Sequence, residues 1–293
     1  MTAAARIRVA FQGERGAFSE EAAVRLLGEE IQTVPRPTFD ALFSAIREGA
    51  SDVILAPIEN TLAGSVHRSY DLLLENNYAI VAEVVNPIVM CLIGAPGAKW
   101  EDVRSVESHP VALAQCERFF AENPRLRRVV ADDTAGSVRN VLESGDKSRA
   151  AIAGRRAAAV YGGVILREHL EDDRANFTRF LLLSSNAKVS PDANKLSLVL
   201  GLAHRPGALH AALAPFVARG INLLRIESCP IPGRPWEYRF YMDLAASIAN
   251  VEIQNALEEL RQSGNDVRAL GSYVAAEMPS GSDSVTSSNA RFI

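Results

Sequence analysis

Cysteine is scarce in this chain, with three in 293 residues, and Cys91, Cys116 and Cys229 lie far apart, in an odd number and in no metal-ligand spacing. That excludes a disulfide framework, and all three are read as reduced thiols. Histidine is also sparse: the five, at 67, 109, 169, 204 and 210, form no HExxH pair, so no structural or catalytic metal is expected. No segment approaches the length of apolar sequence that crosses a bilayer, and the first eight residues lack the apolar core of a signal peptide. No membrane association is expected, and a cytoplasmic location follows. Neither sign of charge dominates, with 31 basic against 35 acidic side chains and a net charge of −4, and no stretch gathers Lys and Arg into a patch. A nucleic-acid partner is thereby excluded, because phosphate binding needs such a footprint. What remains is ordinary for a folded chain: 48% hydrophobic and 23% charged residues, at a length that suggests about two domains.

Along the chain, apolar runs of strand length alternate with helical periods. Residues 7–11 read as a strand, Ser19 as the cap of a helix reaching residue 27, 39–48 as a helix ending at Gly49, and 52–56 as a buried strand that turns outward at Pro57. The apolar stretch 79–93 is broken by Asn86 and Pro87, which argues against one continuous strand. A loop at 108–110, a helix over 111–120, a strand near 129–131, a helix over 134–143, a strand at 150–153, an alanine-rich helix ending near Gly162 and a strand over 177–183 continue the pattern. This succession predicts an α/β fold of two parallel-sheet lobes with a ligand cleft between them. Residues 186–194 are polar and form a linker. Beyond it the order is strand, helix, strand, strand, helix, strand, the ferredoxin-like βαββαβ unit, and residues 279–293 read as a disordered tail.

Six short runs stand out in this framework. They are Gly13-Glu14-Arg15-Gly16-Ala17-Phe18-Ser19; Pro57-Ile58-Glu59-Asn60-Thr61 with Gly64; Ser108-His109-Pro110; Asp133-Thr134-Ala135; Ala153-Gly154; and Thr178-Arg179-Phe180. In this order, and over nearly the whole chain, they resemble the prephenate dehydratase family. The C-terminal unit, with Gly207-Ala208-Leu209-His210, Asn222 and Glu227-Ser228-Cys229-Pro230, resembles the ACT domain fused to such enzymes. The resemblance implies a two-lobed, periplasmic-binding-protein-like catalytic domain over 7–185, with lobe 1 at about 7–84 and 171–185 and lobe 2 at about 85–170. A regulatory ACT domain follows over 195–276. It also implies a monofunctional, cofactor-free lyase that makes phenylpyruvate from prephenate in phenylalanine biosynthesis, is regulated by phenylalanine, and assembles as a homodimer or homotetramer. Arogenate dehydratase is the neighbouring alternative, since arogenate carries an amino group where prephenate has a side-chain keto group. A non-catalytic amino-acid sensor is a third reading, because two lobes around a cleft also describe solute-binding proteins.

The chemistry explains the residue types. Prephenate loses one carboxylate as carbon dioxide and its ring hydroxyl as water, so a site must bring a proton to the departing oxygen and hold a dianion. By the resemblance Thr178 stands beside that hydroxyl, with Asn60 and Thr61 as further catalytic groups; the family commonly has serine at position 61. Arg179 suits a carboxylate through its planar fork. Phe180, Ser108, His109, Thr134, Gly64 and Gly154 complete the implied substrate site, Ser108 and Thr134 as hydroxyls at helix starts. Position 111 is valine where the family shows glutamine. Gly207, Ala208, Leu209, His210, Asn222, Glu227 and Ser228 are the implied phenylalanine ligands, and Cys229 stands where the family has arginine.

Overall fold

The computed structural model describes residues 6–186 and 188–279, which fall into two compact units. One consists of the chain up to Leu72 together with Val84–Phe180; the other consists of Leu73–Glu83 and Leu181–Glu277. The chain opens with β1 (Arg8–Gln12), α1 (Phe18–Leu27), β2 (Gln32–Arg36), α2 (Phe39–Ser44), β3 (Val53–Asn60), the short β4 (Gly64–Ser65), α3 (His67–Asn76) and β5 (Ala79–Pro87). A second lobe holds β6 (Cys91–Gly94), β7 (Ser105–Ser108), α4 (Pro110–Ala114), α5 (Glu117–Glu122), β8 (Arg127–Val130), α6 (Thr134–Ser144), β9 (Arg149–Ala153), α7 (Arg155–Tyr161) and β10 (Val164–Arg167). The chain then returns as β11 (Phe177–Ser184). One sheet has the order β2-β1-β3-β11-β5 with β4 on β3, and the other has β10-β6-β9-β7-β8. The expected two-lobed, periplasmic-binding-protein-like α/β architecture is therefore present, but the sheets are mixed rather than wholly parallel, with β6 antiparallel to both β9 and β10.

The apolar runs follow from this layering. Val9, Ala10 and Phe11 of β1 and residues 53–56 of β3 are at most 1% exposed, because a parallel strand covered on both faces carries consecutive rather than alternating apolar side chains. Glu20, fully buried in α1, is tolerated because its carboxylate accepts the Gly16 N–H at 2.5 Å and the Thr33 hydroxyl at 2.8 Å. It thereby closes the loop that follows β1.

Several local expectations are corrected. Ser19 does not cap α1: it lies inside the helix, and the cap position is Ala17. The second helix stops at Ser44 and its continuation to Gly49 is turns. β3 does not turn outward at Pro57 but runs through it to Asn60. The helix expected over 111–120 breaks at Gln115 and Cys116, where the carboxylate of Asp172 accepts the N–H groups of Glu117 at 2.8 Å and Arg118 at 2.9 Å. A carboxylate at a helix start both fills free donors and suits the positive end of the dipole, so a distant side chain begins a new helix there. The stretch 79–93 is two strands, as expected, but β5 runs through Asn86 to Pro87 and the break falls after them, at residues 88–90. There Ile88 N–H bonds to the Asn176 carbonyl at 2.8 Å and Met90 N–H to Glu171 Oε2 at 2.8 Å, so the two crossing segments hold each other.

In the second unit, β12 (Lys195–Gly201), α8 (Ala208–Ala218), β13 (Leu223–Ile231), β14 (Arg234–Leu244), α9 (Val251–Gln262) and β15 (Asp266–Tyr273) give the βαββαβ order, with neighbours β13-β14-β12-β15 all antiparallel. Leu196, Leu198, Leu200, Met242 and Leu244 pack with Phe216 and Leu257 in one core. On the alternate positions Ser197 bonds both Asp243 at 2.5 Å and the Tyr273 hydroxyl at 2.7 Å, all three buried. The segment Leu73–Glu83 packs on this sheet. Arg268 bonds the Leu74 carbonyl and Asn77 Oδ1, and a Cβ on Gly271 would stand 2.1 Å from the Ile80 carbonyl oxygen. The buried Glu83 carboxylate meets Lys195 Nζ and the Ala276 N–H. Residues 280–293, most of the expected tail, lie outside the described residues.

All three cysteines are free and buried, and burial pushes the thiols of Cys91 and Cys116 up to about 12. The thiolate is the reactive form, so the native protein at pH 8 is expected to resist Ellman's reagent and to label stoichiometrically only when unfolded. Rapid labelling of Cys91 or Cys116 in the folded protein would contradict this burial. Among the described residues no helix is long and apolar enough to cross a membrane.

Candidate active site

β1, β2 and β3 run in parallel, so the loops leaving their carboxyl ends share one edge of the first sheet. These include the 13–18 loop and the Asn60–Gly64 turn. In the second lobe β7, β8 and β9 are also parallel, which brings Ser108-His109, Asp133-Thr134 and Gly154 to one edge of that sheet. Carboxyl edges are where α/β sheets bind ligands, because helix starts and unpaired backbone N–H groups gather there. The opening loop touches the second lobe directly. A Cβ on Gly16, whose φ is +84°, would lie 2.7 Å from Ala157 Cα; one on Gly154 would lie 2.8 Å from the Phe18 ring. Glu14 and Arg139 form an ion pair at 3.1 Å across the same boundary. Both glycines are thus required by close approach of the lobes.

A hydrogen-bond network is built around Asn60. Its Oδ1 accepts the N–H groups of Leu62 at 3.0 Å and Ala63 at 2.8 Å, a local turn that locks the amide's orientation. Its Nδ2 reaches Asn176 Oδ1 at 2.8 Å, the Phe177 carbonyl at 3.0 Å and Thr178 Oγ1 at 3.0 Å. Asn176 in turn reaches Gln115 Oε1 at 3.1 Å, at the break between α4 and α5. Thr61 donates its hydroxyl to the Ala175 carbonyl at 2.6 Å and accepts the Phe177 N–H at 2.9 Å. It fastens the strand that carries Thr178.

The expected site residues divide accordingly. Asn60, Thr61 and Thr178 meet in one network; Thr61's hydroxyl is occupied by backbone there. Gly64 takes φ +81° in the adjoining turn, paired with Asn60 across β3 and β4. Ser108 and Thr134 are not helix caps. Ser108 is fully buried and its hydroxyl donates to the Ile152 carbonyl at 2.6 Å, while Asp133 caps α6 through the Gly136 N–H. His109 caps α4, Nδ1 accepting the Val111 N–H at 3.3 Å, which leaves the ring proton on Nε2. Arg179 is partly exposed, whereas Phe180 is 2% exposed and belongs to the core, not to a pocket wall. Gln115 and Asn176 were missed. No local pattern marks either, and the helix break that presents Gln115 is made by Asp172.

In the C-terminal unit Gly207 opens α8 at φ +79°. Ala208 and Leu209 line a hollow of about 140 Å³ with Leu202, His204, Tyr238 and Phe240. Asn222, Glu227 and Ser228 do not line it. Asn222 lies just before β13, an outer strand of the sheet, and Glu227 and Ser228 lie on it, with Glu227 paired to Arg225 at 3.4 Å. His210 is exposed beyond the hollow.

Comparison with known proteins bears on both units. A family model described as prephenate dehydratase matches residues 9–188, and one described as ACT domain matches residues 197–262. An arogenate dehydratase/prephenate dehydratase of Arabidopsis thaliana, chloroplastic, is 42% identical over 280 residues, covering 92% of this chain and 73% of that protein. Among solved structures, a prephenate dehydratase from Arthrobacter aurescens in complex with L-Phe superposes with a TM-score of 0.81 at 30% identity, covering 92% of this chain and 90% of the other. GqqA, described as a novel type of quorum quenching acylase, superposes with a TM-score of 0.83 at 34% identity, covering 92% and 98%.

Proposed function

Because this chain belongs to the prephenate dehydratase family, we propose that it converts prephenate to phenylpyruvate by decarboxylative dehydration and is feedback-regulated by phenylalanine through its ACT domain. The observation that carries the catalytic reading is the bond from Asn60 Nδ2 to Thr178 Oγ1. An amide nitrogen can only donate, so the threonine oxygen accepts and its own hydrogen is left to donate. Placed at the ring hydroxyl, that hydrogen bond assists the departure of the oxygen as water. The bond from the ring to its carboxylate breaks, carbon dioxide leaves, and the electron pair enters the ring as it becomes aromatic. The oxygen carries away one proton drawn ultimately from solvent. A threonine is too weak an acid to be that source alone, so it acts as donor and positioning group.

Arg179 and the Nε2 proton of His109 supply donors for the substrate's carboxylates, with backbone N–H groups at Thr134 and Gly154 beside them. Hydroxyl activation as an acyl-group nucleophile, which an acylase of this fold would need, is not supported. The group against Thr178 is an amide nitrogen rather than a base able to take its proton. The domain division follows the same reading: catalysis over 7–185 and regulation over 195–276. Phenylalanine binding joins the Gly207–His210 turn of one copy to the Asn222 and Glu227–Ser228 edge of another, which makes a homodimer or homotetramer the working form. The protein acts in the cytoplasm.

Purified protein given prephenate, with phenylpyruvate followed by its absorbance in alkali, is expected to show turnover that phenylalanine lowers. The same assay with arogenate, reading phenylalanine formation, ranks the two substrates. Binding of phenylalanine with no turnover of either compound would leave the sensor reading in place of the enzyme.

A further inference from the structure

We infer that Asn176 is a positioning residue, which takes one hydrogen of the Asn60 Nδ2 group and so fixes the direction of the donor that reaches Thr178, and ties that arrangement to Gln115 of the second lobe. The inference rests on the dehydratase reading and adds to it a residue that touches no substrate. Asn176 is 1% exposed, so it acts only through its neighbours.

The orientation of every amide in the network follows from two backbone groups. The N–H groups of Leu62 and Ala63 can only donate, so the atom of Asn60 facing them is its oxygen, and its nitrogen faces Asn176 and Thr178. That nitrogen can only donate, so Asn176 must present its oxygen to it, at 2.8 Å. The nitrogen of Asn176 then points the other way and Gln115 must present an oxygen, at 3.1 Å. No flip of one amide is possible without setting donor against donor or acceptor against acceptor. Asn176 is itself fixed, because its carbonyl accepts the Ile88 N–H at 2.8 Å, where the chain crosses to the second lobe. One buried side chain therefore joins a turn in the first lobe, the strand carrying Thr178, and the helix break in the second.

The consequence is chemical as well as structural. Without the Asn176 acceptor, one hydrogen of Asn60 Nδ2 has no partner and is drawn between the Phe177 carbonyl and Thr178 Oγ1, so the donor that reaches the threonine oxygen no longer comes from one fixed direction. The threonine's own hydrogen then samples several directions instead of one. Misplacement of a reacting group by about 1 Å costs about 100-fold in rate.

The test uses the full chain and measures kcat and KM for wild type, Asn176→Ala, Asn60→Ala and the double variant, with melting temperatures as a folding control. Asn176→Ala is expected to lower kcat by about 100-fold while KM changes by less than about threefold. In the Asn60→Ala background the same change is expected to cost less than about threefold, because there is no amide left to orient. Equal losses of kcat in the two backgrounds, or an Asn176→Ala enzyme within about threefold of wild type, would overturn the inference. Asn176→Asp covers the case in which the alanine variant does not fold. Its carboxylate still accepts from Asn60, so its kcat is expected to stay at least about tenfold above that of Asn176→Leu, although a charge is the worse group to bury. The reverse order would mark Asn176 as filler of the fold alone. A wild-type protein inactive on both prephenate and arogenate would instead remove the dehydratase reading itself.

Discussion

Thr178→Val is expected to lower kcat by about 100- to 10,000-fold while leaving the melting temperature within a few degrees of wild type. Valine keeps the β-branch that suits a strand and removes only the hydroxyl. The Asn60 nitrogen keeps two acceptors, Asn176 Oδ1 and the Phe177 carbonyl, so the turn survives the change. What disappears is the donor to the leaving oxygen, an interaction made in the transition state. The loss therefore falls on kcat and not on KM. Thr178→Ser restores the hydroxyl and is expected to recover most of the rate. A valine variant retaining a tenth or more of wild-type kcat would remove Thr178 from the mechanism.

The second large effect is on stability. The side chains of Lys195 and Glu83 are 12% and 1% exposed and form an ion pair. Lys195→Met removes the cation that this buried carboxylate faces, and breaking a buried pair from one side costs about 3–5 kcal/mol. Chemical denaturation is expected to show that loss, and the double change Glu83→Gln with Lys195→Met is expected to recover most of it. Glutamine can still accept the Ala276 N–H without carrying a charge. A single variant as stable as wild type would show that the pair is solvated. Salt screening offers a check on the same point, since a buried pair responds weakly to ionic strength.

Much of the architecture was legible because it depends on short-range rules. Runs such as residues 53–56 announce strands covered on both faces, Gly162 ends a helix in the left-handed conformation, and the βαββαβ order appears directly in the alternation of periods. The errors were also local. Ser19, Ser108 and Thr134 look like caps by residue type, but Asp133 and His109 occupy two of those positions, Ala17 holds the third without a side-chain bond, and Ser108 turns to the Ile152 carbonyl. Several residues at a helix start are chemically competent, and packing chooses among them.

The amino-acid sequence alone determined the order of the two units, the residue types at the carboxyl edges and most of the strands, though not β2, β4 or β10, because burial periodicity and turn chemistry act over a few neighbouring residues. Only the tertiary structure decided that Asn60 meets Asn176 and Thr178, 116 and 118 positions away, and that Asp172 breaks a helix to present Gln115. A hydrogen bond spans about 3 Å whatever the length of chain between its partners, so its pairing is set by how the lobes fold together and leaves no periodic trace in the sequence.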